Sequence, residues 1–99
     1  MVELGLTKSI GVSNFPIVLL LDMLTYAKIP PANNQVEIHP YFTRNAFIEF
    51  HKRFNISVTA YAPIGAMGFE WKPLQYKDLN PLDELVIKDL ATKYKRTPA

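Results

Sequence analysis

The sequence predicts an α/β fold built on a parallel sheet. Three observations lead there. Short runs rich in β-branched residues alternate with amphipathic helical runs. The connections between strand and helix are short in the first two units. The order strand, helix, strand, helix, strand, helix then holds along the whole of the 99 residues. Parallel neighbours need a crossover, usually a helix, so such alternation implies right-handed β-α-β units. Periodicity leaves open whether three such units belong to a doubly wound sheet or to a barrel.

Each element has a local reason. Lys8–Ser13 is a short strand candidate. Ser13 or Asn14 is placed to cap the helix that follows, with Pro16 in its first turn and Leu19, Leu20, Met23, Leu24 and Ala27 as its buried stripe. Lys28-Ile29-Pro30-Pro31 ends that helix. Asn34–Ile38 reads as the second strand and stops at His39-Pro40, because proline donates no ladder hydrogen bond. Thr43 is a candidate cap for a helix from about Arg44 to Phe54, with Phe47, Ile48 and Phe50 apolar and Asn55 as its stop. His51 is expected on the polar, solvent-exposed face.

Ile56–Tyr61 is the third strand, rich in β-branched residues. A long connection from about Ala62 to Asn80 carries glycines, prolines and aromatics, and connections of that length commonly serve function. Asn80 caps and Pro81 opens the last helix, with Leu82, Leu85, Val86, Leu90 and Tyr94 on its apolar side. Thr97-Pro98-Ala99 reads as the start of one more helix, an expectation that makes the chain a fragment of a larger fold.

Composition narrows the chemistry. Apolar residues make up 48% and charged residues 20%, an ordinary globular balance. The net charge is +2 and the basic residues are scattered, so nucleic acid is not an expected partner. The one cluster, Lys93, Lys95 and Arg96, lies where a helix C-terminus favours cations. There is no cysteine, which excludes disulfides, thiol catalysis and thiolate metal sites and fits a cytoplasmic protein. Nothing resembles a signal peptide, and the apolar run Ile17–Leu21 is far too short to span a membrane. His39 and His51 have no carboxylates at metal-site spacing.

Three segments together resemble the aldo-keto reductase family. Gly5-Leu6-Thr7-Lys8-Ser9-Ile10-Gly11-Val12-Ser13-Asn14-Phe15 is similar to one of its signatures. Asn34-Gln35-Val36-Glu37-Ile38-His39-Pro40-Tyr41 is similar to its sixth barrel strand, and Val58-Thr59-Ala60-Tyr61-Ala62-Pro63-Ile64-Gly65 to its seventh. Their order and spacing match as well. The resemblance implies a partial (β/α)8 TIM barrel of three consecutive β-α units, strands five to seven with their helices. Residues 1–99 are then one portion of an oxidoreductase barrel, with the cofactor across the C-terminal ends of the strands.

By that resemblance the cofactor is NADP(H) and the partner a small-molecule carbonyl substrate. Ser13, Asn14 and Gln35 hydrogen-bond the nicotinamide carboxamide; an amide ligand needs donors and acceptors, and Asn and Gln offer both. Tyr61 stacks on the nicotinamide ring. Ala62, Pro63, Ile64, Gly65 and Ala66 wrap the pyrophosphate through backbone groups. Ala62 stands where many relatives carry serine, which removes one possible hydrogen bond. Trp71 borders the substrate pocket. His39 belongs to a structural His-Pro-Tyr run and is not a catalytic acid or base.

The family's proton-donating tyrosine and its lysine, aspartate and histidine partners come from strands that precede Gly5. The isolated chain is therefore expected to be inactive. It is also expected to self-associate through open strand edges at Lys8–Ser13 and Ile56–Tyr61. Two other readings compete: a non-catalytic nucleotide-binding or protein-interaction module derived from the barrel, and a channel-associated β-subunit that shares it. The second is disfavoured by Ser13-Asn14-Phe15 and Asn34-Gln35. An upstream in-frame extension encoding the four catalytic residues discriminates truncation from the first.

Overall fold

The computed structural model describes residues 1–65 and 80–99. Strand β1 (Gly11–Ser13) leads through helix α1 (Ile17–Tyr26) to β2 (Asn33–Glu37). Helix α2 (Asn45–Arg53) then leads to β3 (Ser57–Tyr61). A 3-10 turn (Pro81–Asp83) precedes helix α3 (Leu85–Tyr94). The strands form a parallel sheet in the order β1-β2-β3, with Ser13 beside Gln35 and Glu37 beside Tyr61. Both crossovers are helical, as the alternation required, and among the described residues β1 and β3 are the sheet edges.

The two faces of the sheet differ in chemistry. On the helix side lie Asn34 and Val36, both buried, with Leu20 of α1, His51 of α2 and Ile56. The opposite face is polar. There Asn33 Oδ1 accepts from Ser57 Oγ at 3.0 Å and Thr59 Oγ1 at 2.9 Å, tying β2 to β3 side chain to side chain. Two-residue periodicity puts Gln35 and Tyr61 on this same face, one step nearer the C-terminal strand ends.

Several local expectations change. Neither Ser13 nor Asn14 caps α1; Pro16 holds the cap position without a side-chain bond, because both side chains are engaged across the sheet. Thr43 does not cap α2. Arg44 occupies that position in the left-handed region (φ 50°), with its guanidinium 4.1 Å above the Phe42 ring. Leu19 leaves the buried stripe and is half exposed, while Leu20 is completely enclosed. His51 is not on a solvent face; it is fully buried, because it shares the inner stripe with Phe47, one turn earlier. Thr97-Pro98-Ala99 forms no helix. Asn55 does stop α2 in the left-handed region (φ 56°). Asn80 Oδ1 accepts the Leu82 N–H, but it caps only the 3-10 turn that Pro81 opens; α3 begins later, at Leu85, with Glu84 at its cap position and no side-chain cap bond.

Among the described residues no helix is long and apolar enough to cross a membrane, and no group of His, Asp and Glu could hold a metal. Tyr41 donates its phenol proton to Glu84, joining the β2–α2 connection to the start of α3. That bond holds the phenol in its protonated form and pushes its pKa from 10.0 up to about 12. The bond supports the fold below the ordinary tyrosine range and is lost as pH rises through about 12. Glu84→Ala is expected to return the Tyr41 titration toward 10.0, followed by the 13Cζ shift of labelled tyrosine. An unchanged titration would show that the contact is not made.

Candidate cofactor-binding site

The candidate residues meet at the C-terminal ends of the strands. Ser13 is the last residue of β1, and its hydroxyl donates to the Gln35 carbonyl at 2.9 Å. That uses its one proton and leaves its oxygen as an acceptor. Asn14 follows in the left-handed region (φ 56°), a conformation asparagine tolerates better than most residues. Its backbone N–H donates to the same Gln35 carbonyl at 2.9 Å. Adjacent strands sit about 4.8 Å apart, so β1 and β3 are separated by about 10 Å. The Tyr61 side chain reaches across toward β1, and its hydroxyl donates to Asn14 Oδ1 at 3.1 Å, so the two side chains together bridge the gap. A phenol ring thus lies across the strand tips, bracketed by the Asn14 amide, with Ser13, Asn14, Gln35 and Tyr61 all exposed.

After β3 the chain turns sharply. Ala62 is left-handed (φ 48°), and the Gly65 N–H donates back to the Ala62 carbonyl at 2.8 Å, closing a turn over Pro63 and Ile64. Gly65 (φ 83°) lies against Pro81: a Cβ there would meet the ring at 2.7 Å. The close approach made possible by this glycine is therefore to Pro81. Ala66 and Trp71 lie outside the described residues. His39 sits beside Glu37 (Nε2 to Oε1 3.4 Å), and its backbone pairs with that of Phe42, which makes it part of the chain reversal after β2.

Two residues with a direct bearing on this site are absent from the expected site residues: Asn34, which the sequence reading gave no role, and His51, which it placed in solvent. The Asn34 amide donates to the Phe15 carbonyl at 2.9 Å and accepts, more weakly at 3.4 Å, from the Phe15 N–H. The same amide nitrogen lies 3.0 Å from His51 Nε2, and His51 Nδ1 lies 2.8 Å from the Phe47 carbonyl. The signal was present in the sequence. Asn33-Asn34-Gln35 is a polar triplet, and in a strand its middle member must face the helices.

The arrangement suits a flat, amide-bearing ligand: one exposed aromatic face with hydrogen-bonding groups of both kinds at its margin. Comparison with known proteins identifies the family. The sequence pattern of the aldo/keto reductase family matches residues 1–97. A probable NAD(P)H-dependent D-xylose reductase of Emericella nidulans is 48% identical over 100% of this chain and 32% of its own length. Aldose reductase C of Dictyostelium discoideum is 43% identical over 100% of this chain and 28% of its own. The solved aldose reductase of Schistosoma japonicum superimposes with a TM-score of 0.80 at 34% identity, covering 98% of this chain and 28% of that one. The chain thus spans about a third or less of the length of these relatives. A family pattern running almost end to end, over an α/β fold similar to that of the aldo-keto reductase barrel, makes this chain a member of the aldo/keto reductase family.

Proposed function

We propose that this chain is the nicotinamide-holding part of an NADP(H)-dependent oxidoreductase that reduces aldehydes or ketones to alcohols. On this reading residues 1–99 are strands five to seven of one barrel domain, working in the cytoplasm on small carbonyl compounds. The observation that carries the reading is the Tyr61 phenol lying over the strand ends in hydrogen-bond contact with Asn14. Ser13, Asn14 and Gln35 would hold the carboxamide edge of the nicotinamide, and Tyr61 would cover its face. The turn from Ala62 to Gly65, continuing to Ala66, would receive the pyrophosphate, and Trp71 would border the substrate. The bound dinucleotide would supply hydride to a carbonyl carbon. The names of the relatives support a nicotinamide cofactor, and NADP(H) over NAD(H) is the family expectation.

Tyr61 is a poor candidate for proton donor, since its hydroxyl proton is directed at Asn14. The isolated chain is accordingly proposed to bind without turnover. Its open edges at β1 and β3, with the exposed apolar residues Leu85, Val86 and Tyr94 of α3, support a tendency to self-associate.

The test is NADPH titration followed by quenching of intrinsic fluorescence. The wild type is expected to bind saturably, and Tyr61→Ala to weaken binding about tenfold, the scale of one aromatic stack. Absence of saturable binding by the wild-type chain would overturn the reading. Equal affinity for both proteins would remove Tyr61 from the site.

A further inference from the structure

We infer that His51, on the far side of the sheet from the proposed cofactor, is a positioning residue for Asn14. The inference rests on the proposed reading of Asn14 as a cofactor ligand.

His51 and Asn34 are both completely buried, so each of their polar atoms needs a protein partner. A carbonyl only accepts. The 2.8 Å contact from His51 Nδ1 to the Phe47 carbonyl therefore puts the ring proton on Nδ1. Nε2 of the neutral ring is then an acceptor, and only an N–H can face it. The Asn34 amide nitrogen, 3.0 Å away, supplies one. Its second hydrogen goes to the Phe15 carbonyl at 2.9 Å, which leaves Oδ1 turned toward the Phe15 N–H at 3.4 Å.

Turning the Asn34 amide over would set its oxygen against two acceptors at once, His51 Nε2 and the Phe15 carbonyl. The histidine and the Phe15 carbonyl together fix which way the amide faces, each taking one of its two hydrogens. Phe15 is the residue after Asn14, and Asn34 holds both of its backbone polar groups. On the other side, the Asn14 N–H is held by the Gln35 carbonyl. Asn14 keeps its left-handed φ of 56° between two anchors, both on β2. One anchor is a strand carbonyl. The other is a side chain whose orientation is set from α2. A buried ring on the helix layer thus governs the pitch of an amide on the strand tips.

The test compares His51→Leu, which leaves one Asn34 hydrogen without an acceptor, with His51→Gln, whose side-chain oxygen can take it. Leu20→Val serves as a control that loosens the same layer without touching the network. In the wild-type chain, long-range 1H–15N spectra are expected to show the Nδ1-protonated tautomer of His51. His51→Leu is expected to keep its far-UV dichroism, shift the Asn14 and Phe15 backbone amides, and weaken NADPH binding about tenfold. His51→Gln is expected to restore the amide positions and most of the affinity, and Leu20→Val to leave affinity unchanged.

An Nε2-protonated ring, or unshifted Asn14 and Phe15 amides in a folded His51→Leu protein, would overturn the assignment. So would a loss of affinity shared equally by Leu20→Val. If His51→Leu does not fold, the tautomer and the His51→Gln spectra decide the matter. If the wild type binds no NADPH, the cofactor reading fails while the tautomer and amide shifts still decide the positioning role.

Discussion

Leu20→Ala is expected to remove about 3 kcal/mol of folding stability, within the roughly 2–5 kcal/mol typical of leucine truncation in a packed interior. Leu20 is fully enclosed, and among the described residues it shares the buried apolar core only with Val36 and Ile56. So small a core gives each member a large share of the total. A domain of this size has roughly 5–15 kcal/mol to lose at best, and small chains bury proportionately less surface. The measurement is urea denaturation followed by far-UV dichroism, with Val18→Ala as the comparison because Val18 is 74% exposed on the same helix. Leu20→Ala should lower the midpoint strongly at constant slope, and Val18→Ala should move it little. Equal midpoints for the two would mean that α1 does not pack through Leu20.

The second large effect is expected at Gly65, and two causes can be separated there. Gly65 has φ 83°, where an L-residue is strained by about 1–2 kcal/mol, and an added Cβ would lie 2.7 Å from the Pro81 ring. Gly5 has φ 69° with nothing within 4 Å of its Cβ position, so Gly5→Ala reports backbone strain alone. Gly65→Ala should therefore cost about 2–3 kcal/mol against about 1 kcal/mol for Gly5→Ala, the excess being the displaced proline. Matching losses in thermal denaturation would show that Gly65 and Pro81 do not touch in solution.

The strands were legible because their signal is local: β-branched residues in period two, bounded by glycine, proline and asparagine. The expected second and third strands, Asn34–Ile38 and Ile56–Tyr61, match the observed Asn33–Glu37 and Ser57–Tyr61 to within one residue. The first strand is three residues shorter than the expected Lys8–Ser13, since pairing with β2 begins only at Gly11. Helix caps were less legible. Ser13 and Asn14 are of capping type, but an oxygen that can cap can also bond across a sheet, and sequence does not say which partner is nearer. His51 departs from its expected solvent face for a related reason. Counted as polar, it falls outside the apolar stripe; counted by position, it sits one turn after Phe47, and burial follows position. The grouping of Ser13, Asn14, Gln35 and Tyr61 came from a resemblance. Parallel register then puts these residues at one end of the sheet.

The contact between Gly65 and Pro81 has a consequence for diversification. Gly65 and Pro81 are in contact, so the connection between them starts and ends at one place. Chain statistics make lengthening such an excursion inexpensive, about 0.6 kcal/mol for each doubling. Gly65 and Pro81 are therefore a natural pair of splice points for a connection of different length or sequence, because the two ends already lie together.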